Sequence, residues 1–335
     1  MIILNSYPLA VFLLVITMLS WGSWANTQKL VSGKKWPFQL FYWDYSLGVI
    51  LMSLIFGFTV GSLGNEGRGF VEDLGQASLN ALVFALLGGV VFNLANILIV
   101  AAIDIAGMSV AFPIGIGLAL VEGTVINYIS DPTGNAFLIF TGVGFVTLAI
   151  IIDAIAYRRL PQQGEKTPTK GIVISVIGGL LMGLFFYLVQ RSIALDFSNP
   201  EPGKMEPFAA VFVFSIGLFI SNFIWNSYIM AKPFAGEKVK YSDYFKLGNT
   251  KIHLVGILGG AIWCIGMSLS NYTSGVAGDA ISYGLGQGAT MIAAIWGVFV
   301  WREFKSAPKG TNKLLALMFI FFFVGLSLLI FARIA

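Results

Sequence analysis

The chain has 335 residues, of which 57% are hydrophobic and only 11% are charged, and its mean hydropathy is +0.85. Soluble domains carry about 25% charged residues, so this composition excludes a soluble fold and predicts an integral membrane protein. The single cysteine, Cys264, excludes an intramolecular disulfide bond.

Apolar segments of about 20 residues, the length that crosses about 30 Å of hydrocarbon, recur ten times, and we number them spans 1 to 10. The first span has no positively charged segment before it and is too long for a signal peptide, so we expect the protein to retain it. The connections are short, which predicts an all-α integral membrane fold without a soluble domain. In chain order the predicted spans cover residues 7–28, 38–62, 78–103, 107–129, 135–157, 171–193, 207–230, 251–273, 277–300 and 314–333.

The distribution of lysine and arginine predicts the orientation of the spans. Sixteen of the 20 such residues follow spans 1, 5, 7 and 9, whose ends all reach the same membrane face, which we call the basic face. Short basic connections stay in the cytoplasm. We therefore expect a multi-pass protein of the plasma (inner) membrane with both termini outside the cytoplasm. The sixteen are Lys29, Lys34, Lys35, Arg158, Arg159, Lys166, Lys170, Lys232, Lys238, Lys240, Lys246, Lys251, Arg302, Lys305, Lys309 and Lys313.

The two halves of the chain resemble each other at an offset of about 170 residues. The segment "LLGGVVFNLA" matches "ILGGAIWCIG", and Gly107 in the first half matches Gly278 in the second. Since each half holds five spans, the second half must enter the membrane upside down. This predicts two inverted five-helix repeats, an architecture of secondary transporters. The expected boundaries are 1–160 for the first repeat, 161–170 for a cytoplasmic linker and 171–335 for the second repeat.

Polar and aromatic side chains recur inside the spans, where contact with lipid would be costly. Span 1, for example, closes with "LSWGSWANTQKL". Each amide either forms a hydrogen bond between helices or lines a solvated cavity. Each indole either lines the same cavity, packs against other helices or lies at the membrane interface. Because several spans carry such residues, we predict one shared substrate-binding cavity. Its candidate residues are Trp21, Trp24, Asn26, Asn93, Asn96, Tyr187, Trp225, Asn226, Trp263, Tyr283 and Gln287.

Three carboxylates are candidates for coupling transport to a cation. Glu122 lies just beyond the middle of span 4, Asp44 two turns into span 2 and Asp279 at the start of span 9. A charged side chain at the membrane centre costs about 2.5–3.5 kcal/mol, which favours proton binding at Glu122, with a hydrogen-bonded structural acid as the alternative. Helix capping is the alternative for Asp279. Two further titratable residues, Asp153 and His253, lie near span ends, and we expect them to be interfacial.

The motifs and buried charges that the sequence lacks exclude several classes of protein and solute. One histidine excludes an HExxH metal site, and neither a Gly-x-Ser-x-Gly elbow nor a Walker A pattern occurs, so we expect no enzyme, cofactor or metal. Every Lys and Arg lies in a connection or at a span end, so a phosphorylated or carboxylated solute would lack a buried counter-charge. We therefore expect a neutral or cationic solute such as a sugar or a ureide, and no nucleic-acid partner.

Several motifs resemble one superfamily of membrane transporters. The segments "GMSVAFPIGIGLALVEGT" in span 4, "IHLVGILGGAIW" in span 8 and "DAIS" in span 9 resemble the drug/metabolite transporter superfamily. Within it, the chain is most similar to the glucose/ribose porter group, which includes the L-rhamnose–proton symporter. "DYSLG" in span 2 and "GGVVFNLAN" in span 3 also resemble plant ureide permeases. The resemblance covers nearly the whole chain.

The resemblance implies a mechanism and assigns roles to particular residues. It implies import of a small polar solute with protons or another cation, through a cavity built from spans 1, 3, 4, 6, 8 and 9. It matches Asn93 and Asn96 to the polar face of span 3. Asp279 and Ser282 match the Asp-x-x-Ser of the rhamnose symporter, and Asp44 matches the Asp-Tyr-Ser of the ureide permeases.

We therefore expect a secondary transporter that imports a small neutral solute, most often a sugar in this group, together with protons or sodium. A ureide or nucleobase-like permease and a multidrug or metabolite exporter are the alternatives. Glu122 departs from the family pattern, in which an aliphatic residue occupies this position.

Overall fold

The computed structural model describes residues 1–32, 36–160, 169–234 and 236–335. Within these ranges the chain forms helices and loops and no β-strand. The helices are α1 (Tyr7–Ser23), α2 (Ala25–Ser32), α3 (Phe38–Phe58), α4 (Phe70–Gln76), α5 (Leu79–Ala106), α6 (Met108–Ser130), α7 (Ala136–Arg158), α8 (Thr169–Gln190), α9 (Pro207–Asn222), α10 (Trp225–Ala231), α11 (Tyr241–Leu247), α12 (Thr250–Ala277), α13 (Asp279–Gly286), α14 (Ala289–Ile295) and α15 (Thr311–Phe331).

Ten helical segments of the described chain are long and apolar enough to cross a membrane, which confirms the ten predicted spans and the all-α membrane fold. Three spans are divided: α1 and α2 form span 1, α9 and α10 form span 7, and α13 and α14 form span 9. Span 9 ends in a π-helical turn, Trp296–Val300. The linker predicted at 161–170 lies outside the described residues except for its last two positions, which begin α8.

The structure differs from the prediction mainly in the connections. Span 2 was predicted to reach residue 62, but α3 ends at Phe58, because a glycine-rich segment follows and glycine disfavours a helix. Two short helices, α4 and α11, lie in connections that the hydropathy pattern leaves without structure. Both contain charged residues and are too short to cross a membrane.

Three glycines allow the central helices to cross in close contact. A Cβ atom at Gly260 of α12 would lie 1.9 Å from the Tyr45 carbonyl oxygen of α3, and one at Gly48 would lie 2.0 Å from the Ile257 oxygen. The same relation joins α5 to α9, where a Cβ at Gly89 would lie 2.0 Å from the Phe214 oxygen. Spans 2 and 8 thus cross as spans 7 and 3 do, which is consistent with two inverted repeats.

Gly107 and Gly278 each turn the chain between two consecutive spans, and the two turns lie at opposite membrane faces. Gly107 joins α5 to α6 with a φ of 80°, and Gly278 joins α12 to α13 with a φ of 87°. Only glycine adopts this conformation readily. The glycines that the sequence comparison matched therefore have the same local role in the two halves.

Opposite the basic face, a polar clamp joins three segments of the chain. We define this clamp as Met1, Arg68, Asp73, Gln76 and Glu206. The Arg68 guanidinium donates from Nε to Asp73 Oδ1 at 2.7 Å, and its backbone N–H donates to Glu206 Oε1 at 2.8 Å. The Met1 amino group donates to the Glu66 carbonyl at 2.6 Å. These bonds tie the chain start and the connection before α5 to the connection before α9.

Burial makes the polar clamp sensitive to pH. Burial raises the pKa of Glu206 to about 7, and the neighbouring Asp73 carboxylate opposes ionisation further, while Arg68 and the Met1 amine partly offset both effects. Burial also raises the pKa of Asp73, but its direct contact with Arg68 works against this. Glu206 in the folded protein therefore keeps its proton to a higher pH than an exposed glutamate does.

We expect folding stability to fall as pH rises from the ordinary glutamate pKa through about 7, because the folded protein holds a proton that the unfolded chain has lost. The melting temperature in detergent should drop by roughly 5 °C between about pH 5 and about pH 8. Glu206→Gln keeps an oxygen acceptor for Arg68 but cannot ionise, and it should flatten this dependence. An unchanged pH slope in Glu206→Gln would contradict the assignment.

Candidate solute-binding site

A cavity of about 480 Å³ runs from the basic face into the centre of the helix bundle. Lys29, Trp301 and Glu303 line its mouth, and Trp21 and Trp263 line its inner end. Its walls come from span 1, α5, α6, α7, α8, α12 and span 9. This volume falls within the range of small-molecule binding pockets, about 300–1,000 Å³.

Aromatic rings form the inner end of the cavity. Trp21 and Trp263 stack with ring centroids 6.1 Å apart, and the Trp21 indole N–H donates to the Trp263 carbonyl at 3.1 Å. Trp21 lies directly against two glycines, since Cβ atoms at Gly266 and Gly286 would come within 2.5 and 2.6 Å of its ring. The cavity therefore presents a flat apolar wall whose position is fixed by a hydrogen bond and by small neighbours.

Two amides lie beside this aromatic wall. Asn96 on α5 is 7% exposed, and its side-chain amide donates to the Tyr42 hydroxyl at 3.1 Å. Gln287 is 8% exposed and lies where α13 and α14 are divided, so the interrupted backbone of span 9 faces the cavity. An amide both donates and accepts hydrogen bonds. The pair suits a solute whose edge carries N–H, O–H and C=O groups.

The mouth is held by hydrogen bonds between span 1 and the end of span 9. The Trp301 indole N–H donates to Asn26 Oδ1 at 2.6 Å, and the Trp296 indole N–H donates to Ser23 Oγ at 2.9 Å. Trp24 also lines the cavity and packs on Tyr45 with centroids 4.8 Å apart. These hydrogen bonds connect span 1 to the end of span 9 at this face.

The charged groups of the cavity are mostly acidic. Lys29 is the one cationic side chain that lines it among the described residues, and its ammonium lies 2.8 Å from Glu303 Oε1. The Tyr157 hydroxyl donates to the other Glu303 oxygen at 2.6 Å. Asp104 and Asp153 add two more carboxylates. The lining favours a neutral or cationic solute over an anion.

Six of the eleven predicted binding residues line this cavity, and five lie elsewhere. Those that line it are Trp21, Trp24, Asn26, Asn96, Trp263 and Gln287. Asn93 is fully buried between α5 and α9, where its amide donates to Ser221 Oγ at 2.7 Å. Asn226 donates to the Gln39 carbonyl at 2.9 Å. In these two cases the amide joins helices, which was the alternative interpretation.

The remaining three predicted residues also lie away from the cavity. Tyr283 is fully buried and donates to the Ala119 carbonyl at 3.0 Å. Trp225 packs at the start of α10 with its indole N–H buried and without a hydrogen-bond partner in the described structure. Tyr187 is half-buried on α8. None of these five residues lines the cavity.

The three predicted coupling carboxylates are dispersed and none lines the cavity. Glu122 packs against α8, where a Cβ atom at Gly183 would lie 2.8 Å from its Oε2. Asp279 lies at the face opposite the basic face, and its backbone N–H donates to Asp131 Oδ2 at 3.2 Å. Asp44 is buried and accepts hydrogen bonds from other side chains.

Asp44 joins the connection before α12 to the helix bundle. It lies 2.9 Å from His253 Nδ1 and accepts a hydrogen bond from the Tyr244 hydroxyl of α11. The Trp36 ring packs edge-on against the His253 imidazole with centroids 5.2 Å apart. Burial and the Asp44 carboxylate raise the pKa of Tyr244. His253, predicted to be interfacial, is 25% exposed, and it contacts the buried Asp44 carboxylate that also binds Tyr244 of α11.

The acidic part of the cavity was not predicted from the sequence. Asp153 was expected to be interfacial, yet it is only 8% exposed and lines the cavity. Tyr157 follows it by one helical turn on the same face of α7, and this spacing was a usable signal. Glu303 follows span 9 in a basic connection and gave no signal, because only the chain path after the π-helical turn brings it to the mouth.

Ten membrane-spanning helices around a cavity that opens at one face define a solute permease. A family model described as "Ureide permease" matches residues 41–170 and 158–332. The chain therefore belongs to the ureide permease family, and it is a transporter of small solutes rather than an enzyme.

Individual relatives agree with this assignment. The chain is 22% identical to Ureide permease 2 of Arabidopsis thaliana, over 96% of each protein. It is also 22% identical to a putative sugar uptake protein of Enterococcus faecalis, over 90% of this chain and 92% of that protein. A solved crystal structure matches with a TM-score of 0.62 and 12% identity over 96% of both chains, a likeness that concerns the fold.

Proposed function

We propose that the protein imports a small neutral ureide across the plasma membrane together with a cation. The observation that carries this proposal is the pairing of two indoles, Trp21 and Trp263, with two amides, Asn96 and Gln287, in one cavity. A ureide ring is flat and carries alternating N–H and C=O groups at its edge. Its faces suit the indoles, and its edge suits side chains that both donate and accept.

The charge of the cavity supports a neutral solute. Its one described cationic side chain, Lys29, is paired with Glu303, whereas an anionic solute would need a cation aimed at it. The relative in Arabidopsis is named as a ureide permease, in agreement with this choice. A sugar is the second candidate, because sugar rings also stack on indoles and a relative in Enterococcus faecalis is named as a putative sugar uptake protein.

The orientation follows from the basic face. Short basic connections stay in the cytoplasm, so the cavity opens to the cytoplasm in this conformation and the polar clamp closes the outer side. Both termini are then outside. Import also requires the opposite conformation, in which the clamp opens and the helices around the cavity mouth approach one another.

Purified protein in liposomes tests the proposal. Radiolabelled allantoin should accumulate when the outside is made acidic, and unlabelled allantoin should compete better than monosaccharides. Stronger competition by a monosaccharide would favour the second candidate. Efflux of lipophilic cations with no uptake of either solute would contradict import and favour an exporter.

A further inference from the structure

We infer that Asp153 is the carboxylate that binds the coupling proton, an inference that rests on the proposed symport. Asp153 lies on α7, lines the solute cavity and is only 8% exposed. Its Oδ1 atom is buried and has no hydrogen-bond partner in the described structure. An ionised carboxylate left in that state is costly, whereas a protonated one is not.

The charged groups around Asp153 leave it without a counter-ion. Glu303, across the cavity mouth, is occupied by Lys29 at 2.8 Å and by the Tyr157 hydroxyl at 2.6 Å. Asp104 lines the same cavity and is also acidic. No described cation forms an ion pair with Asp153.

The helices packed against α7 do not supply a counter-ion either. They are chiefly α15 and α6, and their charged side chains, Lys313 and Glu122, form no ion pair with Asp153 within the described residues. Lys313 is exposed at the start of α15. Since no described side chain neutralises Asp153, the proposal assigns that role to a bound proton.

Asp153 lies close to the contact between α7 and span 9, and span 9 carries Gln287. Tyr157, one turn beyond Asp153, reaches Glu303 at the end of span 9. The π-helical turn of span 9 packs closely against this contact. A Cβ atom at Gly297 would lie 3.0 Å from the Tyr157 hydroxyl and 3.1 Å from Glu303 Oε2. A change of charge at Asp153 therefore acts where span 9 meets α7, and span 9 also lines the solute site.

A proton fits this site better than a metal ion. The described residues contain no group of three or more Asp, Glu, His or Cys side chains placed to hold a metal. Hard cations take several oxygen ligands, and Asp153 offers one carboxylate. Closing the cavity around solute then requires Asp153 to be neutral.

Liposome transport by Asp153→Asn tests the inference after wild-type flux has been shown. We expect the variant to lose accumulation of allantoin under a pH gradient by about tenfold or more. Exchange of internal for external allantoin should stay within about threefold of wild type. Glu122→Gln is the matched control, because Glu122 lies outside the cavity, and it should accumulate allantoin as wild type does.

Several results would overturn the inference. One is accumulation by Asp153→Asn at the wild-type level. Another is loss of exchange by Asp153→Asn although this variant still folds and binds allantoin. A third is accumulation by the wild-type protein under a sodium gradient at equal pH. Loss of accumulation in Glu122→Gln alone would move the proton site to Glu122. An absence of any wild-type flux would instead count against the proposed function.

A second measurement needs no solute. Spin labels at Leu63→Cys and Leu195→Cys, exposed positions in two connections opposite the basic face, report opening of that face. The background would be Cys264→Ala with Glu206→Gln, so that neither the native cysteine nor the polar clamp contributes. We expect the label distance to change between about pH 5 and about pH 8, and Asp153→Asn to abolish the change. The inference would be overturned if the label distance changed equally with pH in the labelled background and in its Asp153→Asn variant. It would also be overturned if the label distance did not change with pH in the background that keeps Asp153.

Discussion

Replacing Ala293 with tryptophan should reduce solute uptake by roughly tenfold or more, because an indole at this position would fill the cavity. Ala293 lies on α14, lines the cavity and is half-buried. The larger side chain would extend into open space rather than into packed protein, so the fold should be kept. The initial rate of allantoin uptake into liposomes measures the effect.

Leu148→Trp provides the matched control for Ala293→Trp. Leu148 lies on α7 and is 47% exposed on the outside of the bundle, where an extra indole meets lipid. We expect its uptake rate to equal that of wild type and both variants to be monodisperse in detergent. Full uptake by Ala293→Trp would show that the solute takes another path.

Gly89→Leu should prevent stable folding, with a loss well above 3 kcal/mol, because the new side chain would collide with backbone rather than with flexible side chains. Its Cβ would lie 2.0 Å from the Phe214 carbonyl oxygen and 2.7 Å from the Leu218 nitrogen. Relief would require α5 and α9 to separate along their whole crossing. The amount of monodisperse protein recovered in detergent and its melting temperature measure the loss.

The same substitution at Gly144 should be tolerated. Gly144 also lies within a membrane span, and a Cβ placed there meets nothing within 4 Å. Gly260→Leu should behave like Gly89→Leu, because it occupies the equivalent crossing of α12 with α3. Equal yields from Gly89→Leu and Gly144→Leu would contradict the close crossings on which the paired arrangement of the spans depends.

The membrane fold was predictable because its main constraint is local. A span needs about 20 apolar residues wherever it lies in the chain, so all ten could be located from composition alone. The matched glycines were also predictable, since close crossings and positive φ angles both require a residue without a side chain. Gly107 and Gly278 show this at opposite faces of the membrane.

The wall of the cavity was less predictable, because a buried polar group is satisfied equally by water or by a neighbouring helix. Asn93 and Asn96 lie less than one turn apart, yet the first bonds to Ser221 on α9 and the second lines the cavity. Their difference depends on how α9 packs against α5. The sequence pattern of α5 contains no information about that contact.

The acidic side chains were the least predictable part of the site. Asp153 lies near the end of a span, where a carboxylate usually reaches the membrane surface, but the cavity extends down to its level. Conversely, Glu122 lies near the middle of its span and outside the cavity. Depth along a helix is read from sequence, whereas the direction in which the side chain points depends on the neighbouring helices.

The central claim is that the solute lies between the Trp21 and Trp263 indoles and the amides of Asn96 and Gln287. A cryo-EM structure of the wild-type protein determined in saturating allantoin tests it directly. We expect density for one flat molecule at the inner end of the cavity, within hydrogen-bonding distance of both amides. An empty cavity under conditions in which allantoin binds, or density at another place in the protein, would contradict the account.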